Sequence, residues 1–364
     1  MLAFSTLSFL YLRYFFIILI ALGSFMVGFD LMENASELPD SANLVLIYIM
    51  YKGFYAVDMM LPISLVFAMI ATSVELIRSN ALAAYYSIGY SKSRILAPFL
   101  SVAVMMISVH IALHATNFAR ANEFANNLRE TSQFIRPTSN LFFTHEGNYV
   151  YFGNLYPLTK KAEKIRIFTF EKGKLKEVLS ASEAVYDYDN GYWNIKKAHI
   201  LRPPANLDLN TTGIVTEERS NVRALKDFKP KILDQVYEGK ANFTIIDGFD
   251  ALALLEDQNV DVAKIESAMF RIFVTPWFAV FLIVIFFSFA PVSARFLNLS
   301  VFSFGAILAT LLVWGFLFMM GELSNNKTLS PAFGVIAPIG VLFAIMIWRI
   351  GSPLRRVRVK SRQN

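Results

Sequence analysis

The sequence predicts an α-helical polytopic membrane protein with six transmembrane helices and an all-β, jelly-roll-like domain inserted between the third and fourth. Three observations predict it. Apolar residues make up 55% of the 364 and charged residues only 17%, with mean hydropathy +0.46, a composition of membrane proteins rather than soluble domains. Apolar runs of bilayer length recur, each covering roughly 30 Å as a helix. Between the third and fourth runs the apolar period changes from helical spacing to two.

Charge follows the same division. Of 34 basic and 28 acidic residues, 20 and 21 fall between positions 117 and 270, so that region is near neutral. The excess behind the net charge of +6 flanks the apolar runs. That is a membrane pattern, and nucleic acid is not an expected partner. With no Cys in the chain, no disulfide forms and the redox compartment is not legible.

The first span covers 14–29 and continues to about Leu31. Residues 1–12 are apolar and read as an interfacial helix leading into an uncleaved span, because a secretory signal would carry bases ahead of its apolar run. The next loop holds Asp30, Glu33, Glu37 and Asp40, whereas the loop over 75–94 holds Arg78, Lys92 and Arg94 against Glu75. The positive-inside rule makes the first loop external and the second cytoplasmic. The second and third spans cover 56–74 and 95–115. Between them a short helix is expected, with Ser79 or Asn80 as cap, Gly89 as stop and Ser91 as the next cap. Residues 117–135 continue helically until Pro137.

Strands follow at 149–152, 165–170, 184–188 and 192–195, with turns at Lys172-Gly173 and Asp189-Asn190-Gly191. Strands this close together predict an antiparallel sandwich or jelly roll. Residues 206–231 read as a long loop with an edge strand, and 246–256 and 260–269 as helices. Three spans complete the chain at 272–294, 296–321 and 328–348, with Arg295 between the first two. A tail with six basic residues from Arg349 to Arg362 puts both termini in the cytoplasm. The resulting division is 1–116, 117–270 and 271–364, with the short helix at about 79–90.

Chemistry-bearing motifs are few. No phosphate-binding G-x-x-x-x-G-K-[ST] occurs; Gly173-Lys174 and Gly239-Lys240 lack its other parts. No G-x-S-x-G nucleophile motif occurs either. His110 and His114 stand one helical turn apart, but no third ligand lies near them in sequence, and polar packing rather than metal binding is expected. Asp30, Lys52 and Asp58 lie near the outer ends of their spans, where ionisable groups face a cavity, a partner or the interface.

The order of parts resembles the LptF/LptG (YjgP/YjgQ) permeases of lipopolysaccharide export over almost the whole chain. Several stretches carry the resemblance: Leu61-Pro62 opening the second span, ALAAYYSIGYS at 81–91, and GNYVY at 147–151 followed by 165–170 and Trp193. Pro276 after Arg271, and Pro331 through Pro338, fall where that family places prolines. One departure is Ala81, where the family's linker usually carries Glu.

The resemblance implies a non-catalytic inner-membrane subunit without a cofactor of its own, ATP and Mg being bound by a partner. It implies a coupling helix of Ala81, Leu82, Ala84, Tyr85, Ser87 and Gly89 seated on a cytoplasmic ABC ATPase dimer (LptB-like), and leans to LptG with an LptF-like second permease. Lipopolysaccharide would enter a cavity of the first, second and fifth spans, with Arg13, Asp30, Lys52, Asp58, Phe304 and Trp314 as candidates. It would then pass along Tyr149, Tyr151, Ile165, Ile167 and Trp193 of a periplasmic jelly roll to LptC/LptA-like bridge proteins. A rival reading is a membrane-anchored envelope enzyme acting on lipid or cell-wall substrates, against which no clustered acid/base set is found. A macrolide-exporter-type mechanotransmitter would place its outer domain after the first span.

Overall fold

The structure, a computed structural model, describes residues 2–360 apart from 132–137, 146, 157–158, 172, 189, 205–212, 227, 229, 231–243, 256–261 and 292–297. Pro137, Lys172, Asp189, Gly239, Lys240 and Arg295 lie outside the described residues. The chain forms two compact units, Met1–Ala125 with Ala263–Asn364, and Asn126–Val262.

Among the described residues, six helices are long and apolar enough to cross a membrane: Leu2–Glu33, Ala42–Arg78, Lys92–Leu113, Ala263–Phe289, Leu299–Asn325 and Ala332–Gly351. The expected interfacial helix runs into the first span without interruption, as one helix, Leu2–Glu33. It contains no Pro, and its glycines, Gly23 and Gly28, lie far from the expected junction. Its buried residues Leu7, Tyr11, Phe15, Leu19 and Gly23 recur every fourth position and form one stripe. Within that stripe the Tyr11 hydroxyl donates to the Leu65 carbonyl at 2.8 Å, so a polar tip finds an acceptor inside the bundle.

The second span is the spine. It runs 37 residues, Ala42–Arg78, about 55 Å at helical rise. In its most apolar stretch 72% of the residues are buried, against 17% in the first span and 22% in the fifth. Its helix starts at Ala42 after an extended Ser41, and Pro62 sits inside it rather than opening it. A proline there has no N–H for the carbonyl four residues back, that of Asp58.

At its other end the second span turns into the linker helix Ala81–Ser87 through Asn80, whose φ of 57° is left-handed. The Ser79 hydroxyl turns back to donate to the Glu75 carbonyl at 2.8 Å rather than capping the linker. Gly89 at φ +86° ends the turn, and Ser91 caps the third span by accepting from the Arg94 amide. Two cations then close the end of the fourth span. Lys92 Nζ donates to the Ser288 carbonyl at 2.8 Å, and Arg349 Nε donates to the Ser288 hydroxyl at 3.0 Å with its guanidinium 4.1 Å from the Phe289 ring. Positive groups at a helix C-terminus compensate its free carbonyls and dipole.

Prolines punctuate the later spans. Pro276 lies in a 3₁₀ turn, Thr275–Trp277, between Ala263–Phe273 and Phe278–Phe289. Pro331 precedes a π-turn, Ala332–Ile336, from which the last helix, Ala337–Lys360, continues. There Gly334 lies against the fifth span so closely that a Cβ would stand 2.5 Å from that of Ser324.

The inserted unit is an antiparallel sheet of six strands in consecutive order: β1 Thr138–His145, β2 Asn148–Tyr156, β3 Lys161–Glu171, β4 Lys174–Asp187, β5 Tyr192–Arg202 and β6 Val215–Ala224. The expected edge strand is β6. Flanking helices cover Ile245–Leu255 in this unit and Ala121–Thr131 at the junction.

Inside–outside alternation skips once in each of β1 to β5, along one row. Buried pairs flank the skip: Thr138 and Leu141, Phe152 and Leu155, Ala162 and Ile165, Ala181 and Ala184, Ile195 and Ala198. The register does not change across the row, since Ser139 faces Asn154 and Leu141 faces Phe152. Asn140 and Lys164 take left-handed backbone there, at φ 57° and 53°. This local over-rotation coils the sheet, so that both halves feed one core that includes Phe143, Val150, Ile165, Tyr186 and Trp193.

Gly153 lies in the same row, where a Cβ would stand 2.7 Å from Lys164 Cβ and 3.3 Å from the Glu163 carbonyl. Gly153→Ala is expected to destabilise the β unit by about 1–3 kcal/mol. Gly305→Ala, on the open face of the fifth span, is expected to leave stability unchanged or slightly higher. Protease susceptibility of the β unit and thermal unfolding of both variants check this.

Candidate functional site

The linker helix is held on one side only. Leu82 is 2% exposed, and Ala81, Tyr85 and Tyr90 pack against the bundle core, with the Tyr85 and Tyr90 rings 5.6 Å apart. Ala84, Ser87 and Gly89 are exposed. So is Ile88, at 69%. Of the expected coupling residues, Leu82 and Tyr85 therefore serve as anchors while Ala84, Ser87 and Gly89 face outward. Ile88 was not singled out by sequence. Its signal is an unpaired apolar residue just before the glycine stop.

At the opposite end of the second span, polar side chains collect on successive turns. Lys52 Nζ lies 3.0 Å from Asp30 Oδ1 of the first span and donates to Asn122 Oδ1 at 3.2 Å. The Tyr48 hydroxyl donates to the other Asp30 oxygen. The Lys52 ammonium also sits 5.7 and 5.8 Å from the Tyr48 and Tyr55 ring centres, so this buried cation is neutralised, hydrogen-bonded and flanked by aromatic faces.

Asp58 Oδ1 lies 2.8 Å from His110 Nε2 and 3.1 Å from His114 Nε2. The third side chain absent from the sequence neighbourhood of the two histidines thus comes from another span. Arg271 of the fourth span pairs with Glu322 of the fifth at 3.2 Å. Sequence gave no sign of the roles of Tyr48, Asn122 or the Arg271–Glu322 pair, because each partner is distant along the chain.

Of the six lipid-cavity candidates, Asp30 and Lys52 form this ion pair and Asp58 lies two turns from Lys52 on the same helix. Arg13 is exposed on the first span, Phe304 is 69% exposed on the fifth, and Trp314 is half-buried with its ring 6.0 Å from that of Phe318. They are not one cluster.

The five β-unit candidates divide between two faces. Ile165, Ile167 and Trp193 lie in the packed core, and Trp193 Nε1 donates to the Phe228 carbonyl at 2.8 Å. Tyr149 and Tyr151 point the other way, beside Phe168 and Arg166 by register. That face carries two adjoining grooves of about 630 and 690 Å³, sharing Phe142 and Phe168. Tyr151, Arg166, Lys197 and His199 line the first, and Tyr149 and Phe170 the second.

Compared with known families, the chain matches the one described as lipopolysaccharide export system permease LptF/LptG over residues 7–352. No curated protein matches it.

Lys52 is only 7% exposed, so removing one member of its ion pair strands the other. Lys52→Met alone is expected to cost about 2–4 kcal/mol, and Lys52→Met with Asp30→Asn to recover at least half of that loss. Thermal unfolding of both single variants and the double variant in detergent reads the coupling. Additive losses would show that the two groups do not act as a pair.

Proposed function

The chain belongs to the LptF/LptG family of lipopolysaccharide export permeases, and from that premise we propose that it is one half of an ATP-driven exporter in the inner membrane. Its partner in the membrane is a second permease of the same family. Its energy comes from a cytoplasmic ABC ATPase dimer that binds ATP and Mg, and its cargo passes to periplasmic bridge proteins.

The linker helix is the observation that carries this reading. It is anchored by Leu82 and Tyr85 yet presents Ala84, Ser87 and Ile88 outward. An apolar side chain held in water at the end of a membrane bundle suits a hydrophobic socket on a soluble partner. Ala81 replaces the Glu usual in the resembling family, so docking here rests on packing around Ile88 and Ala84 more than on charge.

Further support comes from the lightly buried first and fifth spans, which suit a lipid-facing or permease-facing wall. On this reading the Asp30–Lys52 pair and Asp58 sit at the periplasmic end of the wall, where headgroups would pass. The lipid track in the β unit is then either the packed face of Ile165, Ile167 and Trp193 after opening, or the grooved face of Tyr149 and Tyr151.

Purification of the tagged full chain from its native membrane is expected to bring an ABC-type ATPase and a second six-span permease, with vanadate-sensitive ATP hydrolysis. Ile88→Asp is expected to weaken ATPase retention about tenfold or more without lowering the chain's own unfolding temperature. Recovery of the chain alone, without ATPase activity, would overturn the exporter reading.

A further inference from the structure

We propose that Asp58, His110 and His114 form a binding site for a divalent transition-metal ion of the zinc class. Among the described residues, this is the one group of three ligand-type side chains close enough to share an ion, with one donor atom from each lying within 4.8 Å of the others. The two histidines sit one turn apart on the third span and Asp58 enters from the second, so the site would pin two spans together.

His114 is already oriented as a metal ligand would be. Its Nδ1 lies 3.0 Å from the His110 carbonyl oxygen. A carbonyl only accepts, so Nδ1 carries a proton and Nε2 is the nitrogen left to meet Asp58. That nitrogen faces a carboxylate oxygen at 3.1 Å. A positive centre belongs between the two, and a metal ion supplies one as a proton on Nε2 would. The bond from Nδ1 to a backbone carbonyl is also what orients histidine ligands in metal sites.

The second imidazole has its Nε2 2.8 Å from the same carboxylate oxygen, and its Nδ1 is buried without a hydrogen-bond partner. The two histidine nitrogens stand 2.8 and 3.1 Å from the carboxylate oxygen and within 4.8 Å of each other, so an ion bound at about 2.0–2.2 Å would draw the two imidazoles closer together. Two imidazoles and one carboxylate suit zinc, cobalt or nickel, whereas magnesium and calcium want oxygen alone. The histidine side chains are 4% and 8% exposed and the Asp58 side chain 28%. The carboxylate side therefore stays open for water as a further ligand, an arrangement of three protein ligands plus one exchangeable position.

The test uses the full chain in detergent with whatever co-purifies, carried on an affinity tag without histidine and stripped with chelator. Titration with Co(II) is expected to give a saturable visible absorption band at a single equivalent per chain, displaced by Zn(II). Asp58→Asn and His114→Gln are each expected to weaken Co(II) binding about tenfold or more, with circular dichroism showing the helices intact. Zn(II) is expected to raise the unfolding temperature of the unsubstituted chain only. No saturable band, or equal binding by both variants, would overturn the proposal. So would nitrogen-15 histidine spectra showing His114 protonated on both nitrogens whether or not metal is added, since the positive centre would then be a proton.

Discussion

An unpaired charge inside a membrane bundle costs more than any one packing contact returns, and the pairing of Lys52 with Asp30 answers that constraint where the first two spans meet. The ammonium has a carboxylate at 3.0 Å, an amide oxygen at 3.2 Å and aromatic rings on two sides. The second span is able to be the buried spine because its one buried cation is fully compensated. The other ionisable groups at that end follow the same rule, with Asp58 against two imidazoles and Arg271 against Glu322. Each of these contacts joins two spans, so the polar groups also fix which helices are neighbours.

Much of the fold was legible because its signals are local. Apolar run length located six spans, and period-two alternation located parts of β2 to β5 but missed β1, Thr138–His145. Turn chemistry placed the linker helix between Asn80 and Gly89. Errors arose where a local signal was overruled by a neighbour in space. Residues 1–12 looked interfacial, yet Leu7 and Tyr11 are buried in the bundle, which extends the first helix to its start. The second span appeared shorter than it is because Tyr48, Lys52 and Asp58 dilute its apolar character. Those same residues carry its outer cluster.

The site was less legible, for the same physical reason. Lys52 was visible as an ionisable residue in an apolar run, but its partners are 22 residues before it and 70 after it in the chain, at Asp30 and Asn122. Asp58 and the two histidines were each visible singly, and only folding brings them together. In the β unit the alternation that marked the strands also concealed the row through Asn140, Gly153 and Lys164. A one-residue skip looks like noise in any single strand and acquires meaning only when five strands repeat it side by side.

The 37-residue second helix has a mechanical consequence. A continuous helix is a stiff strut, and this one carries the linker helix at one end and the Lys52 ammonium at the other. A tilt imposed on the linker is delivered to the ion pairs with little slack. The exception is the turn before Pro62, where one backbone bond is missing and bending stiffness is lowest. Asp58 begins that weak turn while Lys52 lies wholly beyond it. The strut is thus jointed just below its charged tip, with the Asp58 contact to His110 and His114 at the joint and the grip of Lys52 on Asp30 beyond it.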